Sequence, residues 1–201
     1  MKYELANETK TVGNVTLHRI KALKSFGSVE KGDLGGWIER ESNLSQEDNA
    51  WVSGDAWVFG DAQVFGDAQV SGDAQVSGDA QVSGDAQVSG DAWVFGDAWV
   101  FDKAWVYDNA RVFGYARVFG YARVFGYARV YDKARVFGYA WVSGDARVSG
   151  DAWVFGDARV CGYAWVSGDA QVYETEEPVS LPKSDTLSIG GKKYRLVEIT
   201  D

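Results

Sequence analysis

From Ala50 to Ala170 every sixth residue is alanine, and from Val52 to Val172 every sixth is valine, with no slip of frame. The 21 units have the form A-x-V-x-G-D, with modest variation in the last two places. Self-similarity at a fixed short period predicts a solenoid. Side chains of an extended chain alternate, so Ala and Val share one face and the residue after each takes the other. Glycine accepts positive φ, and Asp or Asn tolerates the left-handed region and bonds to nearby backbone, so the Gly-Asp pair is expected to turn the corner.

Four extended residues and a two-residue corner wind as a coil whose strands pair with the coils above and below. Three units per turn give an 18-residue triangular coil, and 21 units then make seven coils, about 34 Å at roughly 4.8 Å per coil. A chain of 201 residues has room for one domain or one such array. Its 24 Gly and 9 Trp against 2 Pro, 1 Met and 1 His are the compositional trace of the repetition.

The run V-S-G-D-A-Q is similar to the hexapeptide pattern of left-handed parallel β-helices, in which an aliphatic residue and, four places on, a small residue point inward. That resemblance implies an all-β fold, a left-handed, three-sided parallel β-helix, whereas ordinary parallel crossovers run the other way. A second resemblance rests on Phe26-Gly27-Ser28-Val29, Lys31-Gly32-Asp33-Leu34-Gly35-Gly36-Trp37 and Asn43-Leu44-Ser45-Gln46, which look like the opening segment of the YdcK-like hexapeptide-repeat proteins of bacteria and their phages. It implies the same fold and assigns no activity.

Three segments follow. Residues 1–49 form an N-terminal β cap and first coil, residues 50–173 the β-helix, and residues 174–201 an acidic linker with a short C-terminal β segment. In the first, KYEL and VTLHRIKAL flank Gly13-Asn14 as a strand pair. Solenoid ends present open edges and an open core, so Leu34, Trp37, Ile38 and Leu44 are expected to plug the near end. In the last, SIGGKKYRLVEI reads as a turn between two short strands, either capping the far end or hanging free.

With three units per coil, outward residues 18 apart stack in columns. One face carries Trp57, Gln75, Trp93, Arg111, Arg129, Arg147 and Trp165; a second Trp51, Gln69, Gln87, Trp105, Arg123, Trp141 and Arg159; the third Gln63, Gln81, Trp99, Arg117, Arg135, Trp153 and Gln171. The formal net charge of −9 conceals zones along the axis. Residues 52–100 hold eight corner aspartates and no Lys or Arg, residues 102–141 are net positive and crowded with Phe and Tyr, and the last repeats are mildly acidic.

Interleaved Arg and aromatic residues on a rigid sheet suggest a binding belt for a protein partner or a second copy, with a polyanion or stacked bases as the other class. Its anchors are Trp93, Trp99, Trp105 and Trp141 with Arg111, Arg117, Arg123, Arg129 and Arg135, supported by Phe113, Phe119 and Phe125. The competing structural reading is a cation–π lattice satisfied within the rod. Net acidity disfavours nucleic acid, although a local belt can act alone. An inhibitor role for the acidic zone, as a loose duplex mimic, is a further alternative.

Enzymatic readings find few residues to work with. Some hexapeptide β-helices are acyltransferases, which the resemblance implies would use a His in a cleft between subunits; here the repeats hold no His and no insertion, and His18 sits in a strand pattern. No catalytic set, metal site or cofactor motif is expected. The corner Asp ladders serve the turns rather than a hard cation such as Ca²⁺. The single Cys161 permits no internal disulfide, the polar start MKYELANETK is no secretory leader, and no stretch approaches a membrane span, so a cytoplasmic location is expected.

Overall fold

The computed structural model describes residues 1–173 and, beyond them, the backbone of the strands Val179–Leu181, Thr186–Ile189 and Lys192–Arg195. Each hexapeptide contributes a strand at its x-V step, and its last two residues, one position further on, form the corner. Strands 18 residues apart pair in parallel and in strict register, for example Gln75↔Trp93↔Arg111 and Val76↔Val94↔Val112. Three sheets result, so the β-solenoid is three-sided, and the outward columns are those that the 18-residue period defines.

The backbone is satisfied from coil to coil. Trp93 N–H donates to Ala110 C=O at 2.9 Å and Phe95 N–H to Val112 C=O at 3.0 Å, and the corner joins in where Asp73 N–H reaches Gly90 C=O at 3.0 Å. Inside, every repeat Ala and Val from Ala50 to Val160 is fully buried. A side chain larger than these has no place in the interior, because each coil stacks on an identical one.

The corners refine the expectation drawn from sequence. Positive φ falls on the first residue of the pair alone, Gly in most units and Asp102, Asp108 and Asp132 in three, each with φ of 59°. The second residue is Asp, Asn, Lys or Tyr and needs no special backbone. Where Asp takes the glycine place its carboxylate accepts a hydrogen bond from the next coil: Asp102 from Gly120 N–H at 3.2 Å, Asp108 from Gly126 N–H at 3.2 Å and Asp132 from Gly150 N–H at 3.1 Å. A polar side chain thereby offsets part of the left-handed strain.

At the near end, β1 (Tyr3–Val12) and β2 (Val15–Ala22) form an antiparallel hairpin, and β3 (Leu34–Ile38) runs antiparallel to β2 and parallel to Trp57–Val58. The first sheet thus passes from hairpin to solenoid without a break. Gly35 and Gly36 permit the close approach: a Cβ on Gly35 would lie 2.5 Å from Ile20 Cγ1 and 2.6 Å from Val52 O. Trp37, Ile38 and Leu44 are buried here with Tyr3, Leu17 and Ile20. Leu34 is not, being 54% exposed: alternation along β3 would turn it outward, and Ile20 fills the space beside Gly35.

Lys2 is the unexpected member of this end, only 1% exposed. Its Nζ donates to Glu47 O at 3.0 Å and Ala50 O at 2.7 Å and lies 5.0 Å from the Phe26 ring centre. Burial lowers its pKa to about 8, against the opposing pull of Asp48. Tyr3, whose hydroxyl is 2.7 Å from Leu44 O, is raised by burial and stays neutral.

At the far end, Val179–Leu181 pairs in parallel with Arg159–Gly162 and adds a strand to the second sheet, inside the stretch read as linker. Thr186–Ile189 and Lys192–Arg195 pair antiparallel, as the strand–turn–strand reading expects. The rest of the expected linker, 174–178 and 182–185, lies outside the described residues.

Two outcomes test this account. A Cβ on Gly78 would sit 2.9 Å from Gly96 N at a φ of 69°, so Gly78→Ala should lower stability by roughly 1–3 kcal/mol. Gly78→Asp should lose less in urea denaturation, because its carboxylate can accept the Gly96 N–H. For Lys2 the folded form binds fewer protons than the unfolded chain between pH 8 and its ordinary 10.5, so its contribution to stability rises with pH across that window. The stability difference between wild type and Lys2→Met should therefore shift by about 2–3 kcal/mol in favour of wild type from pH 7 to 10, read by denaturation at each pH.

Candidate interaction surface

The outward x-residues of the strands stand on the rod's three faces, and the residues after Val form a second set of columns beside them. Because coils stack with one spacing, like side chains in a column lie at ring-stacking distance. Phe101, Phe119, Phe137 and Phe155 form a continuous stack with centroids 4.8 to 5.1 Å apart. Phe95, Phe113 and Tyr131 form a second, and Tyr107 with Phe125 a third. Phe113, Phe119 and Phe125 are half-buried in these stacks, so they support the surface more than they present it. Burial raises the Tyr107 hydroxyl above its usual range, against the pull of Arg123, so it brings no negative charge to the arginines.

The expected belt is divided by the fold. Trp93, Arg111 and Arg129 lie on the first face, Trp105, Arg123 and Trp141 on the second, and Trp99, Arg117 and Arg135 on the third. No single flat partner can meet all of them. Trp93, Trp99, Trp105 and Trp141 are 36–40% exposed.

Arginine stacked on tryptophan is common to all three faces. The guanidinium of Arg111 lies 5.0 Å from the Trp93 ring centre, that of Arg117 5.0 Å from Trp99, and that of Arg135 5.0 Å from Trp153. On the second face Trp105, Arg123, Trp141 and Arg159 alternate, so Arg123 lies between two indoles at 5.1 and 5.3 Å. The lattice reading therefore holds for these residues. It does not hold for Arg129 and Arg147, which follow Arg111 on the first face and lie over no ring among the described residues, although Trp165 is the register neighbour of Arg147.

Between each corner column and the next outward column runs a groove parallel to the axis. One of about 650 Å³ lies along the second face between Lys103, Tyr121 and Tyr139 on the corner and Trp105, Arg123 and Trp141 on the strand. Grooves of about 540 and 370 Å³ flank the third and first faces. The corner tyrosines and Lys103 were missed as lining residues, although each stands two positions before an outward strand residue, because the strand columns were read without the corner columns; reading the two together at a period of 18 joins them.

Among the described residues no three of His, Cys, Asp and Glu come together to hold a metal ion, and no helix is long and apolar enough to cross a membrane. Cys161 is half-buried in its strand.

Comparison with known proteins agrees with this architecture. The YdcK Beta solenoid repeat model matches residues 68–84, 80–94, 86–102, 104–120, 128–144 and 140–156. The solenoid thus carries repeats similar to those of the YdcK-like β-solenoid proteins. Over 59 residues the chain is 41% identical to the uncharacterized acetyltransferase YdcK of Escherichia coli (strain K12), a match covering 25% of this chain and 18% of that protein. The YdcK-like repeats lie within the solenoid, which also carries the aromatic and arginine columns.

The faces make different demands on their arginines, and mutation should separate them. Arg123→Ala, which removes two indole contacts, should destabilise by about 1–2 kcal/mol, whereas Arg129→Ala should change stability by less than about 0.5 kcal/mol. Equilibrium denaturation followed by tryptophan fluorescence measures both.

Proposed function

We propose that the protein is a non-enzymatic scaffold whose rigid surface of stacked tryptophans and arginines binds a protein partner or further copies of itself. One observation carries this reading. Among the described residues no carboxylate lies within 4.0 Å of Arg111, Arg117, Arg123, Arg129, Arg135 or Arg147, and exposed tryptophans lie against Arg111, Arg117 and Arg123. Tryptophan and arginine are the residues that dominate binding hot spots, and a stiff rod presents them with little ordering to be lost on association. The lone cysteine fits a reducing, cytoplasmic setting.

Acetyl transfer is the second reading, favoured by the name of the Escherichia coli relative. It would call for an acyl-CoA site and a general base, for which His18 is the lone histidine. His18 lies in β2, opposite Thr9 and Ile38, in the hairpin rather than beside the three grooves.

The two readings separate in one set of experiments. Joint replacement of Arg111, Arg117, Arg123, Arg129 and Arg135 by alanine should abolish the cross-linked complexes, homomeric or heteromeric, that wild type forms in lysate of its source, while circular dichroism still reports the β-fold. Acetyl-CoA should give no binding heat in calorimetry. Complexes that survive all five replacements, or acetyl-CoA turnover lost in His18→Ala, would overturn the scaffold reading.

A further inference from the structure

We infer that the partner for the first face is a second copy of this chain, docked antiparallel so that the acidic end of one first-face groove meets the basic end of the other. The inference rests on the scaffold reading and specifies its partner. The groove spans four coils, with Asp73 and Asp91 on the corner of its first two coils and Arg111 and Arg129 on the strands of its last two. All four side chains are exposed, and no ion pair joins any of them to another described residue. Two carboxylates and two guanidinium groups therefore face solvent in one groove, segregated by end.

Such an arrangement is self-complementary under a two-fold axis across the rod. Reversal of the axis brings the coil of Asp73 opposite that of Arg129 and the coil of Asp91 opposite that of Arg111, and symmetry forms each pair twice. The contact is isologous and closes at two copies, without a fibre. Spacing adds a second reason. A ladder of charges is matched rung for rung by a ladder of the same rise, and a second copy has that rise by construction, about 4.8 Å per coil. Trp93, on the coil of Asp91, and Tyr127, on the coil of Arg129, supply apolar area beside the charges.

The other grooves suit this pairing less well. The third-face groove is segregated in the same sense, with Arg117, Lys133 and Arg135 on its first two coils and Asp151 and Asp169 on its last two, but it carries one unmatched cation, and both of its arginines lie over indole rings where on the first face Arg111 alone does. The second-face groove spans five coils, with Asp85 at one end and Asp157 beside Arg159 at the other, so axial reversal sets Asp85 against Asp157 as well as Arg159 and sets Arg123 against its own copy. Four coils give a contact of modest length, about 14 Å between the outer rungs, so the dimer belongs with the smaller interfaces whose strength is electrostatic and falls with salt.

Light scattering across a wide concentration range tests this with the full chain. Wild type should dimerise at low salt and dissociate at high salt. The double variant Arg111→Glu/Arg129→Glu and the double variant Asp73→Arg/Asp91→Arg should each lose dimer affinity by about 100-fold or more, while circular dichroism still reports the β-fold. An equimolar mixture of the two should regain it to within about tenfold of wild type, because one copy then carries only carboxylates and the other only guanidinium groups in the groove. Three results would overturn the pairing: wild type that stays monomeric at every concentration, a dimer that persists in both variants, or a mixture that fails to recover. A monomeric wild type would leave the scaffold reading standing with a foreign partner, whereas complexes that survive the five alanine replacements would remove that reading itself.

Discussion

Stacking of one corner directly on the next is the constraint from which the rest of the structure follows. A left-handed residue at each corner lets the chain turn in two residues, and backbone bonds such as Asp73 N–H to Gly90 C=O tie that turn to its neighbour 18 residues away. With the corner fixed, strands pair in strict register and every outward side chain stands over one of the same rank. The centroid spacings of 4.8 to 5.1 Å in the phenylalanine stack are thus the strand spacing itself. Aromatic stacking contributes about 0.5–1.5 kcal/mol per pair, but it follows from the ladder and does not create it.

The same enforced stacking makes charge a problem that each face must solve. Arginines held one above another at strand spacing repel. The second face interposes indoles, Trp105, Arg123, Trp141 and Arg159 in alternation, so each guanidinium rests on a ring. The first face runs Arg111, Arg129 and Arg147 in succession, and only Arg111 has an indole beneath it. A repeat tuned only for its own stability would treat three equivalent faces alike. The proposed antiparallel pairing would meet the charges of the first face from outside the chain.

What the sequence makes legible is whatever the period controls. Ala inside, Val inside, the 18-residue register and the membership of each column, such as Gln75, Trp93 and Arg111, all follow from local alternation repeated without interruption. Features set by contacts between remote, non-repeating residues were not legible. Lys2 stands beside the chain start and reads as a polar residue, yet the hairpin folds over the solenoid end and carries its ammonium to carbonyls 45 and 48 residues away. Leu34 reads as a plug and faces solvent because β3 is set by Gly35 and Gly36 against the first coil. The face of each belt residue follows from the 18-residue period as well, and grouping them by position along the chain is what joined members of different faces into one belt.

Near-identical repeats raise the question of what prevents a slip by one whole coil, which would keep every Ala and Val facing inward. A slipped chain must loop out 18 residues, so the rod loses one complete coil of three Ala and three Val. At about 1.5–3 kcal/mol for each buried Val, that alone is of the order of 5 kcal/mol or more, before the lost ladder bonds are counted. The near end adds contacts that only one register satisfies: Asn43 Nδ2 donates to Gly60 O at 3.0 Å and Ala62 O at 2.9 Å, and Glu39 Oε2 accepts Gly60 N–H at 2.7 Å. Coil count thus disfavours slippage anywhere along the rod, and the aperiodic end decides where counting begins. Together they hold the outer charges at fixed heights, which a surface that recognises by rung-to-rung matching requires.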